Sequence, residues 1–166
     1  YFKDEKNAFA FIPGIAMDEN GNKQAFIQIL DGKHSTSEYV KFPFNSFKAN
    51  PKRYEIEIDK NRFTTNSIDL NLKNIRGSLN FQNITPWSSS FFSPGIMGPF
   101  SFVPFMECYH GILSMDHTIT GELSIKKKKV DFTSWRGYTE KDWGHSFPIG
   151  YVWIQSNHFR ESEISF

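Results

Sequence analysis

Two short stretches of this sequence place side chains that can donate protons beside aromatic neighbours. Residues 107–111 read Glu-Cys-Tyr-His-Gly, with Asp116 and His117 just beyond, and residues 140–145 hold Glu, Lys, Asp and His. A carboxyl group in an apolar wall has its pKa raised, so it keeps its proton near neutral pH and can act as a general acid. Such an acid can protonate an olefin, and aromatic faces can stabilise the resulting carbocation. These residues therefore predict acid catalysis on an apolar substrate.

The kinds of side chain in these stretches suggest individual roles. Glu107 and Asp142 are the candidate acids, because each carboxyl group lies beside aromatic sequence. His110 and Glu140 are the candidate partners that orient them. These four residues are the predicted catalytic group.

Each of these residues also has a structural alternative. The carboxylates could pair with Lys141 or Arg136 in a structural network, and the histidines could belong to the core or the surface. Glu107, His110 and His117 could in principle form a facial metal triad. Their spacing is not compact, so we predict no metal site.

The second stretch continues into residues 151–159, where polar and aromatic side chains alternate. A strand here places Trp153, Gln155 and Asn157 on one face. Amides that face an apolar environment need hydrogen-bond partners, so Gln155 and Asn157 either hold the polar head of a ligand or fasten a lid. The predicted ligand contacts are Tyr138, Trp143, Phe147, Trp153, Gln155 and Asn157.

Short strands joined by tight turns are expected to position these residues. Alternation predicts a strand at residues 7–12 that ends at Pro13-Gly14, and a strand at 23–30 in which Ala25, Ile27 and Ile29 share a face. The four lysines at 126–129 predict a solvated hairpin tip, with contact to an anionic membrane as the alternative. No window of eleven or more residues keeps a helical apolar stripe. The sequence therefore predicts an all-β fold, as an antiparallel barrel or sandwich in a single domain over residues 1–166.

Residues 84–112 interrupt this rhythm with four prolines and many aromatic residues. Loops longer than about 12 to 15 residues are uncommon unless they are functional or disordered, and this one is too apolar for disorder. We predict that residues 87–99 form a packed lid or line a cavity, and that residues 100–111 are partly strand. Because the chain holds 18 Phe, an apolar pocket is expected, and barrels of about eight strands can hold one small apolar ligand.

Charge and cysteine content narrow the function further. With 19 basic and 18 acidic residues, the chain has no charge excess suited to nucleic acid. Cys108 is the one cysteine, which predicts a reduced thiol without a disulfide. The sequence shows no signal peptide and no apolar run of roughly 18 residues. We therefore predict a soluble, cytoplasmic protein that contacts membranes only peripherally.

The densest motif lies at residues 137–148, Gly-Tyr-Thr-Glu-Lys-Asp-Trp-Gly-His-Ser-Phe-Pro, and at residues 153–159, Trp-Ile-Gln-Ser-Asn-His-Phe. It resembles the tocopherol cyclase family, whose members carry Tyr-x-Glu-Lys-Asn/Asp-Trp-Gly-x-x-Phe-Pro followed by Trp-x-Gln-x-Asn-x-Phe. Residues 11–15 and 97–111 are similar to bacterial members. The chain has His-Ser at 145–146, where plant members tend to have small residues.

The resemblance implies a lipocalin-like β-fold and closure of a prenylated quinol to a chromanol. In that reaction an acid protonates the prenyl double bond and the phenolic oxygen captures the tertiary cation, without a cofactor. Lipocalin-like relatives include carotenoid hydratases, in which water captures a similar cation. Family members usually have a second β-domain, so we expect this chain to be the N-terminal half of a longer protein. The predicted function is binding of a prenylated or other apolar small molecule and its acid-catalysed cyclisation; the alternative is a non-catalytic, lipocalin-like binding or structural domain.

Overall fold

The structure is a computed structural model that describes residues 1–4, 7–146, 149–159 and 164–165. These residues form twelve strands and two 3-10 helices, Phe44–Ser46 and Gly98–Phe102. The strands are β1 (Phe2–Lys3), β2 (Ala8–Met17), β3 (Lys23–Asp31), β4 (Thr36–Pro43), β5 (Phe47–Ala49), β6 (Glu55–Ile58), β7 (Asn61–Thr64), β8 (Ser67–Asn71), β9 (Ile75–Thr85), β10 (Cys108–Ile125), β11 (Lys128–Asp131) and β12 (Arg136–Gly144). No helix of this described part has the length and apolar character to cross a bilayer.

The chain divides into two compact units. The first unit comprises Tyr1–Gln82 and Thr118–Trp135, and the second comprises Asn83–His117 and Arg136–Phe166. In the first unit, β1 to β4 form a ladder in which each strand pairs antiparallel with the next. The strands from β5 to β9 form a second run of antiparallel pairs, and β10 pairs with β11. These pairings confirm the predicted all-β, antiparallel class.

The ladders of the first unit end at two strands. β4 and β5 each pair on one side only among the described residues, so the pairing does not join them into a closed barrel. The hairpin between β10 and β11 turns at Lys126 and Lys127, as the run of lysines predicted. Both residues have positive φ, which suits a two-residue hairpin turn whose twist matches that of the strands.

The core of the first unit follows the predicted alternation. Ala25, Ile27 and Ile29 lie on the buried face of β3. The rings of Phe9, Phe132 and Trp135, also buried, contact one another although Phe9 is distant in sequence from the other two, with the Phe132 and Trp135 centroids 4.4 Å apart. Phenylalanine has no polar group to satisfy, so these rings fill the interior at no hydrogen-bonding cost.

The predicted break at Pro13-Gly14 is wrong, because β2 continues to Met17. Pro13 lies opposite Ile27, and Gly14 lies opposite Phe26. β1 pairs only with Ala8 and Phe9 of β2. On that side of β2, Pro13 therefore has no partner strand whose hydrogen bonding its missing N–H could interrupt. The Phe26 ring occupies the space where a side chain at position 14 would lie. Both residues thus fit the strand that they were expected to end.

Two glycines allow β9 and β10 to approach closely within the first unit. Gly77 has a φ of 136°, and a Cβ on it would overlap the backbone carbonyl oxygen of Glu122. Gly121 has a φ of 125°, and a Cβ there would overlap the carbonyl oxygen of Ser78. Few other residues adopt such φ values. The two strands therefore depend on a glycine at both positions.

We expect Gly121→Ala to lower the free energy of unfolding by roughly 2–4 kcal/mol, because it adds both backbone strain and a backbone clash. Gly21→Ala is the matched control, since Gly21 also has positive φ but nothing lies within 4 Å of its added Cβ. That variant should lose only about 1 kcal/mol. Urea denaturation measures both values, and equal losses would show that the close approach is not the cause.

Candidate functional site

The candidate residues lie on β10 and β12, which are neighbours in the sheet. Successive side chains of a strand point to opposite faces. Tyr138, Glu140 and Asp142 therefore share one side of β12, here called the carboxylate face. Lys141 and Trp143 share the other side, here called the aromatic face. A Cβ on Gly111 of β10 would touch both Lys141 and Trp143, which assigns Gly111 to the aromatic face.

The second polar stretch belongs to a strand, because β12 extends to Gly144. A Cβ on Gly144 would overlap the carbonyl oxygen of Glu107, so the missing side chain lets the two backbones meet. The N–H groups of His145 and Ser146 donate to this same carbonyl oxygen, at 3.0 and 3.1 Å. The glycine therefore allows a close contact at the end of the strand and does not form a turn.

His110 brings the two carboxylates together on the carboxylate face. Its Nδ1 lies 2.6 Å from Oδ1 of Asp142, and its Nε2 lies 3.7 Å from Oε2 of Glu140. The three side chains are 26–33% exposed. Each ring nitrogen thus faces a carboxylate oxygen, and an imidazole in this position can hold a proton and pass it on. We call His110, Glu140 and Asp142 the carboxylate cluster.

Glu140 receives further hydrogen bonds on the same face. The indole Nε1–H of Trp153 donates to its Oε2 at 3.1 Å. Tyr138 is buried, and its hydroxyl bonds to Glu140; burial first, and then this carboxylate, raise the pKa of the phenol. The phenol therefore stays protonated and acts as a donor. These contacts fix the position of Glu140, which is what an orienting residue requires.

Metal binding is a second capacity of the carboxylate cluster. Each of the three side chains offers one ligand atom, and these three atoms lie within 4.8 Å of one another. The cluster could therefore hold a metal ion. One imidazole and two carboxylates suit a first-row divalent metal. The triad considered from the sequence is not brought together, since Glu107 is exposed and His117 is buried beside Gly137.

Residues 151–159, which we call the closing segment, are irregular and not the predicted strand. Asn157 is 1% exposed, and its Nδ2 group donates to Oδ1 of Asp116 and to the carbonyl oxygen of Gly137, both at 2.9 Å. Arg136 donates to both oxygens of Asp116. Hydrogen bonds from side chains, and not backbone pairing with a neighbouring strand, hold this segment in place. The alternation of residue types in the sequence therefore did not indicate a strand.

Buried amide atoms of the closing segment lack partners. Gln155 Nε2 and Oε1, and Asn157 Oδ1, have no hydrogen-bond partner among the described residues. Such atoms are uncommon in native proteins and call for an explanation. Asn157 is buried and Gln155 is half-buried, whereas Trp153 is exposed, as are Val152 and Ile154. Gln155 and Asn157 therefore point away from solvent, whereas Trp153 does not share their burial, and the backbone is not a strand.

A groove of about 370 Å³ opens on the aromatic face. Its walls come from the loop before β10 and from the two strands, and they include Trp87, Met97, Tyr109, His110, Lys141 and Trp143. The Tyr109 and Trp143 rings are stacked with centroids 5.6 Å apart, and Lys141 Nζ lies 4.8 Å from the Trp143 ring. Residues 87–99 were predicted to line a cavity, and several of them do so.

Strand alternation separates the residues that the sequence grouped into one site. His110, Glu140 and Asp142 meet, whereas Glu107 lies exposed outside the cluster. Trp143 lines the groove, while Tyr138 and Trp153 contact each other on the carboxylate face. Phe147 lies outside the described residues.

Several residues of the site were not predicted. Trp87, Met97, Asp116 and Arg136 were not among the predicted catalytic or ligand-binding residues. Trp87 and Met97 had one available signal, the long uncharged aromatic loop to which they belong. Asp116 was noted beside the first polar stretch and Arg136 as a possible partner of carboxylates, but no signal in the sequence joined either residue to Asn157, because that contact depends on the path of the closing segment.

The neighbours of Cys108 and His117 keep both side chains uncharged. Burial, followed by the charge of Asp142, raises the pKa of the Cys108 thiol, so it is not activated as a nucleophile. Burial lowers the pKa of His117 to about 3. Its ring packs where a side chain at Gly137 would lie, and Nδ1 is 3.0 Å from the Ser114 hydroxyl oxygen. His117 therefore belongs to the core, as its structural alternative proposed.

We expect His117 to make the protein less stable as the pH falls from about 6.5 toward 3. In this range the unfolded chain binds a proton that the folded chain does not, so the free energy of unfolding falls by up to about 1.4 kcal/mol per pH unit. His117→Gln should flatten this dependence in urea denaturation measured across pH. His145→Gln, at an exposed position, is the control and should keep the wild-type dependence. A wild-type slope in His117→Gln would contradict the assignment.

Comparison with known proteins supports the resemblance seen in the motif. A family model described as tocopherol cyclase-like matches residues 47–165, well over half of the chain. The match includes the carboxylate cluster, the groove and the closing segment. A search of curated proteins finds no match. On the extent of the family match, this chain belongs to the tocopherol cyclase-like family.

Proposed function

We propose that the chain binds a prenylated or other apolar small molecule in the groove on the aromatic face. The observation that carries this proposal is the groove itself, about 370 Å³ walled by Trp87, Met97, Tyr109 and Trp143. Small-molecule sites begin at roughly 300 Å³ and combine apolar walls with a few polar groups. A substituted aromatic ring with part of a prenyl chain suits this size and composition.

The polar groups of the groove favour a ligand with an uncharged oxygen. The Nε1–H of Trp87 is buried and has no hydrogen-bond partner in the described structure. A quinol or quinone oxygen could accept this hydrogen bond. The ammonium group of Lys141 lies over the ring of Trp143, so a cation–π contact holds this charged wall residue against an aromatic face.

A second candidate function is acid-catalysed closure of a prenyl quinol to a chromanol, followed by release of the product. It is favoured by His110, which lines the groove and also contacts Asp142. Glu140 and Asp142 project to the opposite face of β12, and the His110 ring lies with them. Because His110 is also a wall residue of the groove, a turn of its side chain toward the groove would carry the proton to the ligand. Trp153 and Tyr138 would act indirectly, by holding Glu140 in place.

The reaction balances without a cofactor. His110 would donate its proton to the prenyl double bond, which leaves a tertiary carbocation. The phenolic oxygen of the same molecule would form a C–O bond to that carbon, and its proton would return to the cluster. The product is an isomer of the substrate. Capture of the cation by water would instead add one water to the mass, which is the hydratase outcome.

We expect Trp143→Leu to weaken binding of a phytylated benzoquinol by about tenfold, because it removes half of the stacked aromatic wall. Trp153→Leu is the matched control, since it removes the same side chain from the carboxylate face. Isothermal titration calorimetry should show near wild-type affinity for this control. Equal losses in both variants, or no binding by the wild-type chain, would overturn the proposed groove.

We expect His110→Gln and Asp142→Asn to lower conversion at least 100-fold while leaving ligand affinity within about threefold. Glu107→Gln should keep the wild-type rate, because Glu107 is exposed and lies outside the cluster. Liquid chromatography with mass spectrometry separates the isomeric chromanol from the quinol and detects a hydrated product by its added water. Binding without either product would assign the chain to the non-catalytic alternative, and loss of turnover in Glu107→Gln would make Glu107 the acid.

A further inference from the structure

A long segment that comprises most of β9 and the loop before β10 carries no ionisable side chain. No aspartate, glutamate, lysine, arginine or histidine lies between Arg76 and Glu107, although such residues are frequent in the rest of the chain. The part of this segment between β9 and β10, residues 86–106, is here called the phenylalanine loop. It contains Phe91, Phe92, Phe100, Phe102 and Phe105.

All five phenylalanine side chains of this loop face solvent. Phe91, Phe92 and Phe105 are 85%, 79% and 92% exposed, and Phe100 and Phe102 are also exposed. Scattered exposed apolar residues are normal, but a cluster of exposed large rings marks an interaction site. The loop therefore presents a surface suited to an apolar partner.

Hydrogen bonds of the loop hold these rings at the tips of two turns. Ser90 and Ser93 donate their N–H groups to each other's carbonyl oxygens, at 2.9 and 3.1 Å, and this turn carries Phe91 and Phe92. The Tyr109 hydroxyl donates to the carbonyl oxygen of Val103 at 2.8 Å and accepts from the N–H of Met106 at 3.3 Å. Between these two bonds Phe105 has a φ of 63°.

We propose that the phenylalanine loop inserts these rings into the surface of a lipid bilayer with uncharged headgroups. Protein interfaces usually have a polar rim and contain arginine, and nucleic-acid surfaces are basic. A loop without ionisable side chains has neither property, and charge is the feature that costs most to bury in hydrocarbon. Because the loop has exposed backbone polar groups, the insertion is shallow, at the boundary of headgroups and acyl chains.

The same loop forms part of the groove. Trp87 and Met97 line it, and Phe91 and Phe92 lie between them in the chain. A prenylated molecule dissolved in the bilayer would therefore meet the loop at the point where it leaves the lipid. This last step rests on the proposed function; the membrane contact does not.

The test is flotation of the full chain with phosphatidylcholine vesicles that contain no prenyl compound, at low and high salt. We expect binding that salt does not weaken. Phe91→Ser with Phe92→Ser should lower the partition coefficient at least tenfold. Phe105→Gly should also lower it, while its thermal midpoint stays equal or rises, because glycine tolerates the positive φ. Met17→Ser, which removes an exposed apolar side chain from β2, should bind as the wild type does.

The outcomes separate this proposal from its competitors. No binding to neutral vesicles, or equal binding by the Phe91/Phe92 variant, overturns it. Binding only to anionic vesicles, lost on substitution of Lys126 to Lys129, would transfer the contact to the lysine hairpin. Self-association that the phenylalanine variants abolish would identify a second copy as the partner. Trp143→Leu should keep vesicle binding, so failure of the groove and failure of the membrane contact are distinguishable.

Discussion

Successive side chains of a β-strand point to opposite faces, and this constraint decides what each residue of β12 can contact. Glu140 and Asp142 face His110, while the alternate residues Lys141 and Trp143 face the groove. One short run of sequence thus supplies a polar cluster on one side and an aromatic wall on the other. Lys141, which separates two carboxylates along the chain, pairs with neither and lies over Trp143 instead. This leaves His110 as the partner that the two carboxylates share.

The carboxylate face is completed from a distance by the closing segment. Trp153 reaches Glu140, and Asn157 reaches Asp116, so an irregular chain is fastened by side-chain donors at two places. Asp116 also accepts from Arg136 at the start of β12. Loss of a buried, charge-assisted hydrogen bond costs more than that of an exposed pair. The position of the closing segment therefore depends on Asp116 as well as on Glu140 of the cluster.

Strand faces could be predicted from the sequence because burial on one side imposes a two-residue period, as at Ala25, Ile27 and Ile29. The ends of strands could not be predicted in this way. Pro13 and Gly144 both lie within strands, because Pro13 pairs with β3 and Gly144 makes room for the carbonyl oxygen of Glu107. The sequence named three residues that meet in the cluster, but it gave equal weight to Glu107. Which of the candidates meet depends on how β10 pairs with β12, and residue types alone do not determine that pairing.

Gly77 and Gly121 have a consequence for how the chain finds its register. β9 has one glycine, and at the crossing with β10 the backbones come so close that neither strand can carry a Cβ there. If β9 shifted along β10, a residue with a side chain would replace a glycine at the point of close approach. Its Cβ would then overlap the backbone of the other strand. A shift by one residue would also turn every side chain of β9 to the wrong face. Two residues without side chains thus select one alignment between segments that are far apart in the sequence.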